Sequence, residues 1–325
     1  MEGQNYKQLL SRFQSLIALL ILCIVISVLS DKFLTVTNAW NVMRQISVNV
    51  CISVGMTMVI LAGGIDLSVG SVLALCGAIA AGLLKEGIEI PSANLFVGFT
   101  IPGVVVIALV AGSLIGAFNG FVITRFNVPP FVATLAMLTI ARGLTMLWTQ
   151  GFPISGLGER FTWIGTGWFL GIPVPVWISG IIVLIAIVIT NRTRLGRYVY
   201  AIGGNESAAT LSGINVKKVK LAVYAIAGGL AAAGGLIVTS RLDAAQPNAG
   251  LGYELDSIAA VVIGGTSLTG GKGSIGGTVL GAVIIGVLNN GLVLLDVSPF
   301  WQQVVKGAVI LLAVIIDKAQ AKVTN

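Results

Sequence analysis

Few residues in this chain are of a type that does chemistry. The 325-residue sequence contains no histidine, the side chain that most often moves protons near neutral pH or ligates transition metals. Cys23, Cys51 and Cys76 lie in apolar stretches with no metal-ligand spacing and no even count. They read as small core residues rather than as a disulfide framework or a metal site. Two glycine-rich patterns imitate nucleotide loops and fail on context. Gly271, Gly273 and Gly276 satisfy G-x-G-x-x-G, yet no strand precedes them and an apolar run follows. In GGTSLTGGKGS, Gly271 stands where a phosphate loop needs Lys, and Lys272 is followed by Gly273 instead of Ser or Thr. No catalytic residue, metal site, cofactor site or ATP site is expected.

What remains is a set of polar groups inside apolar runs: Asn49, Asn119, Asn289, Asn290, Thr139 and Arg142. Polar side chains in hydrocarbon are costly unless paired. Neutral amides and hydroxyls suit a path for a polyhydroxylated neutral solute, with which they exchange hydrogen bonds without holding it strongly. For any one of them, glue between helices is the favoured reading. Acidic groups are scarce: Asp66 falls at a turn, and Glu254 and Asp256 at the outer edge of an apolar run. Asp66, just before Ser68, reads as an N-terminal helix cap in preference to a substrate contact.

The elements that must position these groups follow from composition. The chain is 56% hydrophobic and 10% charged, with a mean hydropathy of +0.99, against about 45–50% apolar and about 25% charged in soluble domains. Apolar runs near the ~20 residues that cross a bilayer as a helix recur along it, and the ten-residue alternation of a membrane β-barrel is absent. The expectation is an all-α, polytopic transmembrane bundle forming one domain over residues 1–325. About ten spans are placed near 14–31, 45–63, 69–84, 100–123, 129–149, 173–191, 219–240, 254–265, 274–295 and 301–317. The eighth is too short to cross as a simple helix, so it reads as a broken or re-entrant segment, tolerable only where protein surrounds its free backbone groups.

The net charge of +7 would suggest nucleic acid in a soluble chain; here topology accounts for it and no nucleic-acid partner is expected. With the N-terminus inside, twelve of the 19 Lys and Arg fall on the cytoplasmic side and five outside, leaving Arg142 and Lys306 within spans. That asymmetry puts both termini in the cytoplasm. Six of the twelve, from Arg192 to Lys220, lie in the one long inside segment, residues 192–219 and their edge. Within it Asn205 is a helix cap, Glu206 to Leu211 a short helical run and Gly213 a stop signal. A short helix between glycine turns on that face reads as a docking element for a soluble partner.

Residues 59–70, VILAGGIDLSVG, echo residues 261–271, VVIGGTSLTGG, over Gly63 to Gly70 and Gly264 to Gly271. Both copies are expected at the cytoplasmic end of a span, as equivalent turns from two halves. Glycines at four-residue spacing, Gly112, Gly116 and Gly120 as well as Gly273, Gly277 and Gly281, place small residues on one helix face for close packing.

The segments SVGMTMVILAGGIDLSVGSVLAL, TRLGRYVYAIGGNESAATLSGINVKKVK and GYELDSIAAVVIGGTSLTGGKGS together resemble the permease subunits of bacterial ABC importers for monosaccharides, above all those for ribose, from about Ser15 to Asp317. The resemblance implies a multi-pass protein of the bacterial cytoplasmic membrane that pairs with a second permease copy. It implies a sugar delivered by an extracytoplasmic binding protein, and alternating access driven by a separate cytoplasmic ATPase that binds ATP and Mg. The family's coupling segment falls on Gly203, Gly204, Asn205, Glu206, Ala209, Ser212 and Gly213. Its glycine–aspartate motif falls on Gly63, Gly64, Asp66, Ser68 and Gly70, echoed at Gly264 and Gly265. Substitutions at Gly204 or Glu206 are expected to spare insertion while uncoupling ATP hydrolysis from uptake. An ion-coupled carrier or a facilitator acting alone, and a membrane-embedded enzyme, are the competing readings; neither explains the docking segment.

Overall fold

A computed structural model describes the backbone of residues 2–90 and 95–324, and the side chains of 15–89, 95–312 and 314–315. Four of the charges assigned to the inside, Lys7, Arg12, Lys318 and Lys322, have side chains outside the described residues. The chain runs α1 (Glu2–Leu29), α2 (Val36–Leu61), α3 (Val69–Lys85), β1 (Ile88–Ile90), β2 (Leu95–Val97), α4 (Ile101–Phe126), α5 (Pro130–Thr149), β3 (Ile154–Ser155), α6 (Glu159–Thr166), β4 (Trp168–Phe169) and β5 (Ile172–Pro173). It continues through α7 (Val174–Arg192), α8 (Arg194–Gly204), α9 (Glu206–Leu211), α10 (Val216–Leu242), β6 (Ala244–Ala245), α11 (Tyr253–Ile263), α12 (Ile275–Leu294) and α13 (Pro299–Thr324). The strands pair only as small antiparallel ribbons, β1 with β2, β3 with β6 and β4 with β5.

Among the described residues, six helices, α2, α4, α5, α7, α10 and α12, are long and apolar enough to cross a membrane by length and composition. They coincide with six of the expected spans. The other four positions hold different objects. Ser15–Leu29 of α1 and Val69–Lys85 of α3 are shorter apolar helices; at ~1.5 Å per residue α3 spans about 26 Å. The helix α11, with 11 residues, spans only about 16 Å, and α13 fills the tenth position.

α2 is the axis of the fold. Every residue from Ser47 to Leu61 is buried, as expected of a helix that is apolar on all sides. It packs against α7, α10, α11 and α12. Its Thr57 hydroxyl meets that of Thr278 on α12 at 2.7 Å, so two buried polar groups satisfy each other. α4 shows the opposite division. Val106, Val110, Leu114 and Phe118 are exposed at the four-residue spacing of one helix face, while Gly112, Gly116 and Gly120 are buried on another. A Cβ on Gly112 would overlap Gly228 of α10, one on Gly116 the backbone of Tyr224, and one on Gly120 would crowd Leu221. The first glycine series is therefore a contact between α4 and α10, with the apolar stripe left for lipid.

The second series needs correction. Gly273 precedes α12 with a φ of +151°, so it lies in a loop; only Gly277 and Gly281 are on the helix, where they meet the backbones of Gly264 and Ala260. Cys51 and Cys76 are buried and unpaired and Cys23 is half-buried and unpaired, matching their reading as core residues.

A short helix, α11, occupies the position of the expected eighth span. After α10 the chain passes β6 and turns back through residues 246–252 before α11 begins. Arg142 of α5, about 10 Å from that helix's C-terminal end, donates from Nη1 to the carbonyls of Pro247 at 2.6 Å and Ala249 at 2.9 Å. Gly250 lies against the backbone of Gly70 in the first turn of α3. Two carbonyls of the returning segment are thus met by a side chain of α5. Glu254 and Asp256 sit in the first turn of the short helix that follows.

Candidate functional site

The segment 192–219 is folded, not a loop. The sequence shows α9: its bounds are Glu206 to Leu211, and Asn205 Oδ1 accepts from the Ala208 N–H at 2.9 Å. It does not show α8, whose buried positions Gly196, Val199 and Ile202 fall at helical spacing among basic and aromatic residues. Ala209 is the one buried residue of α9 and packs with Val199, Ile202 and Leu61. Leu211 is 90% exposed. Glu206 pairs with Lys220 of α10 at 2.7 Å, and the Ser212 hydroxyl donates to the Ala208 carbonyl.

Three helices end in the same way. At the end of α2, the Gly64 N–H reaches the Val59 carbonyl and the Gly63 N–H that of Ile60. At the end of α11, Thr266 reaches Val261 and Gly265 reaches Val262, and at the end of α9, Ile214 reaches Ala209 and Gly213 reaches Thr210. Each is a Schellman turn with a left-handed glycine after the helix, Gly63 at φ +78°, Gly265 at +82° and Gly213 at +81°. This fixes the true register of the internal echo: Gly63 corresponds to Gly265, one residue away from the pairing of Gly63 with Gly264 that letter matching gives.

The two echoing turns and the docking segment meet. The Gly271 N–H donates to the Leu61 carbonyl of α2 at 3.0 Å, closing one of the acceptors that a helix leaves open at its C-terminus. Gly203 at the end of α8 is wedged against both, since a Cβ there would run into the Leu61 oxygen and the Gly271 nitrogen. A Cβ on Gly270 would crowd Gly203 and the Gly63 nitrogen. The Tyr200 hydroxyl of α8 donates to the Gly273 carbonyl at 2.9 Å, and burial pushes its phenol pKa up, which keeps it a donor. Gly204, one residue on, has open space around it. The segment 192–219 therefore touches the end of α2 and the connection between α11 and α12 through the Gly203 backbone and the Tyr200 hydroxyl.

Asp66 and Ser68 occupy the turn between α2 and α3. Asp66 Oδ1 accepts from the Ser68 N–H at 2.9 Å and from its hydroxyl at 2.6 Å. The cap position of α3 is Ser68 itself, without a side-chain cap bond, so Asp66 closes the turn ahead of the helix and does not cap it. Asn119 of α4 donates to Ser68 Oγ at 3.0 Å, and all three residues are buried. Thr134 of α5 donates to the Ile65 carbonyl, and Tyr224 of α10 presses against Gly64. Asn119 is thus a tether between α4 and the turn. Asn290 is glue too, exchanging two bonds with Asn38 at 2.9 and 3.0 Å. Thr139 bonds back to Leu135 in its own helix.

Asn49 and Asn289 stand apart. They share a small polar alcove with Gln45, Asp256 and Lys306. Lys306, a charge the sequence leaves unexplained inside a span, pairs with Asp256 at 3.1 Å. These groups come from α2, α11, α12 and α13, and their pairing has no local sequence signal.

Comparison with known proteins gives the same architecture a family. The family described as "Branched-chain amino acid transport system / permease component" matches residues 38–314. The chain belongs to this permease family. It is 52% identical to the ribose import permease protein of Escherichia coli strain K12 over 97% of each chain. It is 47% identical to that of Bacillus subtilis over 98% of this chain and 96% of the relative. The D-allose transport system permease protein of Escherichia coli strain K12 is 42% identical over 90% of this chain and 86% of its own length. No solved structure matches the chain. As a member of the permease family the protein is a membrane transport subunit, not an enzyme.

Proposed function

We propose that this protein is the permease subunit of an ATP-driven importer that carries ribose or a related monosaccharide across the bacterial cytoplasmic membrane. The observation that carries the reading is the identity of about half the residues to ribose import permeases over nearly the whole of both chains. On this reading the chain has ten spans with both termini in the cytoplasm, α11 serving as the broken eighth. Two copies form the pore, an extracytoplasmic binding protein delivers sugar, and a separate ABC ATPase docks at α9 and binds ATP and Mg.

The mechanism is alternating access. Closure of the two ATPase subunits displaces α8 and α9, and rigid backbone contacts at Gly203, Leu61 and Gly271 pass that displacement to the end of α2 and the connection between α11 and α12. Nucleotide biases the two states only through its differential affinity for them. The close fit at Gly203 supports this role, because a backbone-to-backbone contact has no rotamers with which to absorb movement.

Uptake of labelled ribose into proteoliposomes tests the reading. Uptake should require this chain, the ATPase, ATP on the ATPase side and the binding protein together; uptake by the chain alone would establish a self-sufficient carrier instead. Within the working importer, Gly203→Ala forces a methyl group into the Leu61 carbonyl and should lower sugar moved per ATP hydrolysed. Gly204→Ala meets no neighbour within this chain, so any loss it causes arises at the ATPase surface. Glu206→Gln forfeits a half-exposed ion pair worth little to stability, and its uncoupling would likewise report docking.

A further inference from the structure

The alcove between α2, α11, α12 and α13 holds two acceptor atoms that nothing among the described residues satisfies. Asn49 Oδ1 and Asn289 Oδ1 are both buried and without a hydrogen-bond partner, on residues only 8% exposed. The Asn289 amide is oriented by its neighbour: Nδ2 donates to Asp256 Oδ2 at 3.3 Å, which leaves the oxygen as the open end. The same Asp256 oxygen takes the Lys306 ammonium at 3.1 Å, so the one carboxylate and the one ammonium lining the alcove neutralise each other. Gln45, Tyr253 and Gln302 complete the polar wall around about 100 Å³, several times the ~10–15 Å³ that one water needs.

This inventory selects its occupant. An anion would face two amide oxygens and a carboxylate. A cation would have to displace Lys306, and a zwitterion would have to open the Asp256–Lys306 pair. An apolar group would leave both amide oxygens unpaired at the full desolvation penalty. A neutral molecule carrying several hydroxyl donors satisfies both oxygens and leaves the ion pair intact. We propose that this alcove is a transient station for the translocated sugar, where hydroxyl groups donate to Asn49 and Asn289 while the Asp256–Lys306 pair holds the walls in place. A few neutral hydrogen bonds bind weakly, so the sugar is oriented and released without being trapped. The inference rests on the proposed sugar transport.

The test is ribose uptake by the complete importer in proteoliposomes, with binding-protein-stimulated ATP hydrolysis measured in parallel. Asn49→Ala removes an amide oxygen that has no partner in the protein, so the fold loses little, and Asn289→Ala is the second variant. Each should lower sugar moved per ATP by about five- to tenfold, the worth of one or two hydrogen bonds, with stimulated hydrolysis unchanged. Asn290→Ala, which breaks the Asn38 pair outside the alcove, should lower thermal stability and leave the transport ratio of the folded protein as in wild type. Wild-type ratios in both alcove variants would mean that the alcove holds only water, and an equal fall in Asn290→Ala would reduce the effect to helix packing; either overturns the station while leaving sugar import standing. Absence of ribose uptake by the wild-type importer with every component present would overturn the function and the station together.

Discussion

At the scale of single residues, pairing decides more than residue type. Four buried asparagines sit at comparable positions in apolar runs, and only the structure separates Asn119 and Asn290, which tie helices together, from Asn49 and Asn289, which leave oxygens open. The Asp66, Ser68 and Asn119 chain makes a specific prediction. Ser68→Ala deletes the hydroxyl that donates to Asp66 and accepts from Asn119, stranding the buried Asn119 amide at about 1–3 kcal/mol while Asp66 keeps the Ser68 N–H. Thermal unfolding in detergent should show the loss, and Asp66→Asn, which keeps an acceptor for Ser68, should lose less. Equal stability of Ser68→Ala and wild type would rule out the tether. Asn205 and Gly213 were legible because capping is a local event, set by residues within one turn of chain.

At the scale of elements, short helices and their ends carry the architecture. Removing the α9 cap with Asn205→Ala costs about 1 kcal/mol in a helix of 6 residues. Amide exchange across Glu206 to Leu211 should therefore quicken, and sugar moved per ATP should fall; unchanged exchange would show that packing of Ala209 alone holds the helix. In α4, Gly116→Leu drives a large side chain into the Tyr224 backbone. Overpacking of this kind costs about 1–3 kcal/mol or more and should lower the unfolding temperature, whereas Leu114→Ala on the exposed stripe should leave it nearly unchanged. Four-residue glycine spacing reveals such a face only while the residues stay helical, and that is why Gly112, Gly116 and Gly120 read correctly and Gly273 does not. The echo suffers similarly, because its register is set by where the left-handed glycine ends each helix, and the doublets GG at 63 and at 264 match by letters one residue away from that point.

At the scale of the whole molecule, topology is the property to test. On the proposed orientation with both termini inside, Ser155 of β3 lies outside and Ser207 on α9 lies inside; both are exposed. Ser155→Cys should react with a membrane-impermeant thiol reagent in intact cells, and Ser207→Cys only after permeabilisation, with Cys51 and Cys76 silent because they are buried. The reverse pattern would invert the orientation. The charge asymmetry is what proposes this orientation, since each Lys or Arg acts on the side of the membrane where it lies and needs no tertiary partner.

The sequence by itself determined a membrane bundle without histidine chemistry, the positions of its long apolar helices and the capped helix α9. Those properties follow from composition and from interactions within a turn or two of chain. The tertiary structure alone decided that Gly203 locks against Leu61 and Gly271, that Arg142 sustains the returning segment 246–252, and that Lys306 finds Asp256 across 50 residues. Contacts between distant segments depend on helix rotation and depth, which hydrophobic periodicity does not specify, so only packing brings a lone charge or an unpaired amide to its partner.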